Sequence, residues 1–181
     1  CHRVPVEGMA VSAADAFRTP LGDVPVDRAT VAALDTRGIA VFEPSHQYEH
    51  SLEVHLPFLQ TVLGEFSIVP VVVGEATPEA VAGLLEALWD GPETLIVVSS
   101  DLSHYHAYDE ARAQDEKTRR RIEQLDTQID YDDACGATPF RGLLMQAKRR
   151  GMHVRTLDLR NSGDTGGDRD FVVGYGAWTF A

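Results

Sequence analysis

Ser99-Ser100-Asp101-Leu102-Ser103-His104 puts hydroxyls, a carboxylate and an imidazole on one short stretch. A carboxylate and an imidazole this close can act as metal ligand and general acid or base, because histidine titrates near neutral pH. The plainer reading is a polar loop in which Asp101 or Ser103 is a turn or cap residue. The second reactive group is Cys135, in Ala134-Cys135-Gly136-Ala137-Thr138-Pro139. Proline suits the first position of a helix. Cys135 then falls just before a helix start, where the dipole and free N–H groups favour a thiolate. A thiolate is a nucleophile or a soft metal ligand, although a small buried residue is the commoner use of cysteine.

The chain has seven histidines. His50 and His55 sit in His-x-x-Glu-x-His, and on a helix their imidazoles would lie about 140° apart around the axis. They cannot grip one ion without a break in that helix, so His55 is read as a helix-surface residue. Glu49 and His50 open the helix and are expected to support a site from behind its ligands, as is Ser100 beside Asp101. His106 and His153 have no comparable partner in sequence and are read as ordinary residues. The Asn161–Asp168 stretch lacks both EF-hand spacing and the Walker lysine, and reads as a surface or cleft-rim loop.

These groups need a scaffold. Leu95-Ile96-Val97-Val98 is a continuous aliphatic run and predicts a buried strand. In an open α/β sheet, ligands sit beyond the carboxyl ends of the strands, so chemistry is expected first just past this strand, at Asp101 and His104. Phe66–Val73 predicts another buried strand. Thr77 caps a helix through about Trp89, with Pro78 at its first position. Strand, helix, strand at this spacing predicts a parallel βαβ pair.

Upstream, residues 1–26 read as loops with one strand near Met9-Ala10-Val11. Asp27 caps a helix from Arg28 to about Arg37, and 39–42 is strand-like. Leu52, Leu56, Leu59 and Leu63 fall at helical spacing, with Pro57 kinking or restarting the run and Gly64 stopping it. Downstream, helices are expected over Tyr108–Leu125, Tyr131–Ala134 and Pro139–Arg150, and strands over Val154–Leu159 and Phe171–Phe180. The whole reads as a single three-layer α/β domain over residues 1–181, with a mostly parallel or mixed central sheet flanked by helices.

A net charge of -12 argues against nucleic-acid backbones and anionic membranes as partners. No apolar run is long enough to span a bilayer, and no signal peptide is recognised. Cys1 and Cys135 do not make a disulfide framework, so the cytoplasm is the expected location. The chain opens on Cys1-His2-Arg3-Val4-Pro5, without an initiator methionine, and reads as a piece whose upstream part is missing.

The sequence resembles the Memo family, also called AmmeMemoRadiSam system protein B. The resemblance rests on 1–5, 17–21, Glu49-His50-Ser51-Leu52-Glu53-Val54-His55-Leu56-Pro57, 68–74, Val98-Ser99-Ser100-Asp101-Leu102-Ser103-His104, Cys135-Gly136, 161–164 and 173–175, in the family's order. It implies the fold of the class III extradiol dioxygenases, which use non-haem iron(II). By matching motifs it implies His2 and Cys135 as metal ligands, Asp101 as the nearby carboxylate and further ligand, and His104 as the acid/base. Asp101 and His104 are thus the expected catalytic pair.

The resemblance also implies a first metal-site histidine and a strand upstream, in a Pro-His-Ala-Gly-like segment absent here. A chain that begins at Cys1 is accordingly expected to hold metal weakly or not at all. Cys135 stands where the dioxygenases have a glutamate, and a thiolate is softer and more easily oxidised. Three functions stay open. The first is a metal-binding protein of dioxygenase type, with redox or oxygen-linked activity on a small molecule and iron(II), copper or zinc as cofactor. The second is a non-catalytic adaptor that binds a peptide or protein in a vestigial pocket. The third is a metal-assisted hydrolase.

Overall fold

The structure is a computed structural model that describes residues 4–35, 39–89 and 91–181. It divides into two compact units, Cys1–Ala76 and Thr77–Ala181. Both combine helices with small sheets, which places the chain in the α/β class.

The first unit contains β1 (Met9–Val11), β2 (Ala16–Thr19), β3 (Gly22–Pro25), α1 (Arg28–Asp35), β4 (Ala40–Val41), α2 (Pro44–Gln47), α3 (Leu56–Leu63) and β5 (Val71–Val73). β1 is the centre of a mixed sheet, parallel to β4 and antiparallel to β5. Its Ala10 and Val11 are fully buried. β2 and β3 form a hairpin where the Gly- and Pro-containing sequence predicts loop. Asp27 caps α1 as expected: its carboxylate accepts the Thr30 N–H at 3.0 Å and the Thr30 hydroxyl at 2.6 Å. Pro57 restarts a helix rather than kinking one. Residues 51–55 are turn, and α3 begins at Leu56 with the proline in its first turn, where the missing donor costs nothing.

The second unit contains α4 (Pro78–Leu88), β6 (His104–His106), α5 (Tyr108–Glu123), α6 (Ala137–Arg149), β7 (Val154–Asn161) and β8 (Val172–Phe180). The sheet order is β6-β8-β7, antiparallel throughout. Thr77 caps α4 by accepting the Ala80 N–H at 3.2 Å. α4 and α6 approach closely at Gly142, where a Cβ would lie 2.5 Å from Val81 Cγ1. The core joins Leu102, Ile122, Ile129, Ala134, Ala137, Phe140 and Leu144 to Val154, Leu159, Trp178 and Phe180. Phe140 meets Trp178 edge-on at 6.0 Å. α5 is pinned to β7 by the Thr156 hydroxyl, which donates to Glu123 at 2.7 Å. Among the described residues no helix is long and apolar enough to cross a membrane.

Several sequence expectations are corrected. Residues 95–98 join no ladder, and Leu95 and Val97 are 61% and 47% exposed while Val98 packs on the core. Residues 95–98 thus form no strand for the expected βαβ unit, and β5 pairs antiparallel with β1. An aliphatic run sets the preference for an extended chain, but a strand also needs a partner with free N–H and C=O groups. The buried strand expected over Phe66–Val73 shortens to β5, with Ile68 held only by an isolated bridge to Val26. Residues 131–133 form a turn, not a helix, and Pro139 is the third residue of α6 rather than its first.

Candidate metal centre

The Asp101–His104 segment is held on a buried anchor. Leu102 is fully buried, its N–H donates to Gly174 O at 2.9 Å, and the Gly174 N–H donates to Ser103 O at 2.8 Å. β6 then pairs with β8 with an irregularity between His104 and His106. Tyr105, between them, takes a φ of 61°. For a bulky aromatic residue this costs of order 1–3 kcal/mol and persists only where the surroundings enforce it. Asp101 Oδ2 lies 3.7 Å from His104 Nε2.

Cys135 reaches the same place from the other side. Its N–H donates to Asp101 O at 3.2 Å. Ser100 ties the two segments together: its hydroxyl donates to Asp101 O at 2.7 Å, accepts the Gly136 N–H at 2.8 Å and lies 3.6 Å from Cys135 Sγ. Gly136, the residue before α6, permits this approach, since a Cβ there would sit 2.8 Å from Ser100 Cβ. Replacing Ser100 by alanine leaves the Gly136 N–H without its acceptor. It is expected to lower stability by about 0.5–1.5 kcal/mol, as measured by urea unfolding.

One donor atom from each of Asp101, His104 and Cys135 lies within 4.8 Å of the others. Donors around a tetrahedral ion with bonds of about 2.0–2.3 Å stand about 3.3–3.8 Å apart. The Asp101–His104 separation of 3.7 Å matches that spacing. A thiolate, an imidazole and a carboxylate together suit a transition metal of intermediate softness rather than calcium or magnesium.

His2, Glu49 and His50, the other expected site residues, belong to the first unit. His2 lies outside the described residues. Glu49 Oε1 accepts the N–H groups of His50 and Ser51, each at 2.9 Å. Burial works against that carboxylate, yet these N–H groups hold it below its ordinary pKa. His106, at the end of β6, has a partner in Glu110 of α5, at 3.4 Å. Asn161 and Asp164 close a short 3-10 turn as a reciprocal capping box, so the loop there is structural.

Three residues escaped the sequence reading. His46 is buried in the first unit, Nε2 3.3 Å from Ala10 O, and its burial lowers its pKa. Tyr175 has a phenol raised by burial and by the charge of Asp101. Asp115 is a buried carboxylate on α5. Tyr175 lies in the 173–175 stretch that carries the resemblance but was given no role there, and nothing local marks the other two.

The sequence model of the family described as Memo-like protein matches residues 1–179. The chain is 36% identical over 180 residues to a MEMO1 family protein of Saccharolobus solfataricus, covering 91% of this chain and 63% of that protein. It is similarly 36% identical over 182 residues to a MEMO1 family protein of Metallosphaera sedula, covering 91% and 64%. One from Sulfolobus acidocaldarius is 37% identical over 174 residues, covering 88% and 61%. The chain thus spans less than two thirds of the length of the curated relatives it matches.

Proposed function

Because this chain belongs to the Memo family, we propose that it is a metal-binding domain of extradiol-dioxygenase type, with redox or oxygen-linked activity on a small molecule in the cytoplasm. The observation that carries this reading is the convergence of Asp101, His104 and Cys135. Cys135 and Asp101 would hold the ion, with His2 as the further expected ligand. Iron(II) is the first choice, with copper or zinc as alternatives. A bound ion of this kind supplies a Lewis acid and, for iron or copper, a one-electron couple.

The protein's own groups do the rest. Asp101, half exposed, stands 3.7 Å from His104 Nε2, near enough for its charge to act on the ring. His104 would exchange a proton with a bound substrate as general acid or base. Ser100 fixes Cys135 against the Asp101 backbone and so limits its rotation.

Titration with cobalt(II) in millimolar excess, under reducing and oxygen-free conditions, tests the reading. Weak binding that approaches about one ion per chain only in that excess is expected, with a sulfur-to-cobalt charge-transfer band in the near ultraviolet. Saturation without that band, or no binding, would overturn it.

A further inference from the structure

Asp115 lies on α5 with 2% exposure. Its Oδ1 accepts the Ser103 N–H at 3.1 Å. On its other side stands Gly174 of β8, where a Cβ would lie 2.1 Å from Asp115 Oδ2. The carboxylate therefore fills the space a side chain at Gly174 would need. Ser103 O, in turn, accepts the Gly174 N–H, and Leu102 N–H donates to Gly174 O. The peptide leading into His104 is thus gripped by β8 on one side and by Asp115 on the other.

A buried carboxylate is costly, and packing alone would be served as well by an apolar residue. Burial pushes this carboxyl above its ordinary pKa, against the Ser103 N–H and the nearby charges of His106 and His104. The next residue but one, Tyr105, is held at a positive φ that needs such over-determination.

We propose that Asp115 is a positioning residue for the cluster: it fixes the Ser103 peptide so that the His104 imidazole faces Asp101 and Cys135. The consequence for metal binding rests on the metal-site reading above, whereas the positioning does not. Ser103 carries no chemistry of its own in this arrangement; its N–H is the handle.

The test compares Asp115→Ala with Asp115→Asn, whose amide oxygen can still accept the Ser103 N–H. The first readout is metal-free: the imidazole carbon–proton NMR cross-peak of His104, assigned through His104→Gln. Asp115→Ala is expected to move that peak by more than its linewidth and leave the His153 peak in place, while Asp115→Asn returns it to the wild-type position. The second readout is cobalt(II) affinity, expected to fall about 10–100-fold in Asp115→Ala and to recover in Asp115→Asn. An unmoved His104 peak in a folded Asp115→Ala chain overturns the proposal, as does an Asp115→Asn chain that behaves like the alanine variant. If the His104 peak moves as expected but no chain binds cobalt, the positioning stands and the metal reading falls. Asp115→Ser, too short to reach Ser103, replaces an alanine variant that does not fold, with the same two outcomes.

Discussion

A chain carrying Cys135→Ser is expected to lose more than about 100-fold in cobalt(II) affinity, since even partners behind the ligands are worth 10–100-fold. The charge-transfer band should vanish with it. A serine hydroxyl stays protonated near neutral pH and is a hard, weak donor where a thiolate is a strong one. The substitution is nearly isosteric, and the Cys135 N–H bond to Asp101 O uses the backbone, so the local fold should persist. Competition titration against a coloured chelator gives the affinity, and circular dichroism checks the fold. Wild-type affinity in this variant would remove Cys135 from the ligand set and leave Asp101 and His104 to explain any binding.

Leu102→Ala is expected to cost about 2–5 kcal/mol, the range for a large aliphatic side chain deleted from a packed core. Leu102 is fully buried among Ile122, Ile129, Phe140 and Leu144. It also sits between Asp101 and Ser103, so the cavity would loosen the backbone that carries the cluster. Urea unfolding followed by tryptophan fluorescence measures the loss, and Trp178, packed on the same core, reports on this unit. A cost below about 1 kcal/mol would mean that the site collapses around the smaller side chain and that Leu102 is not the anchor.

What could be read from the sequence was what depends on near neighbours. The caps at Asp27 and Thr77 reach only three residues along the chain, and both form. Pro57 and Gly64 bound α3 for reasons internal to the backbone. The long helices and the two closing strands follow from periodicity alone. Pairing is different. Leu95–Val98 has the composition of a central strand and no ladder, whereas His104-Tyr105-His106 has an unpromising composition and becomes β6 because β8 lies beside it. Asp101 and His104, three positions apart, were legible as a pair, whereas Cys135, 31 positions beyond His104, is joined to them by a serine hydroxyl and a main-chain hydrogen bond that no spacing encodes. Asp115 was hidden for the opposite reason: in a helix as charged as Tyr108–Glu123, one more carboxylate carries no mark of burial.

The extended run at 95–98 has a consequence for the chain in bulk solution. Its outward residues, Leu95 and Val97, are aliphatic, and its main chain is free of any sheet. Such a segment is a template on which a second extended chain can hydrogen-bond, the step from which fibrils grow. What opposes it is colloidal: Glu93 and Asp101 bracket the run, and a net charge of -12 keeps molecules apart. Salt shortens the reach of that repulsion to about 10 Å at 0.1 M and about 3 Å at 1 M. The shelf life of a concentrated solution is therefore set by its ionic strength, with turbidity rising soonest in the saltiest buffer.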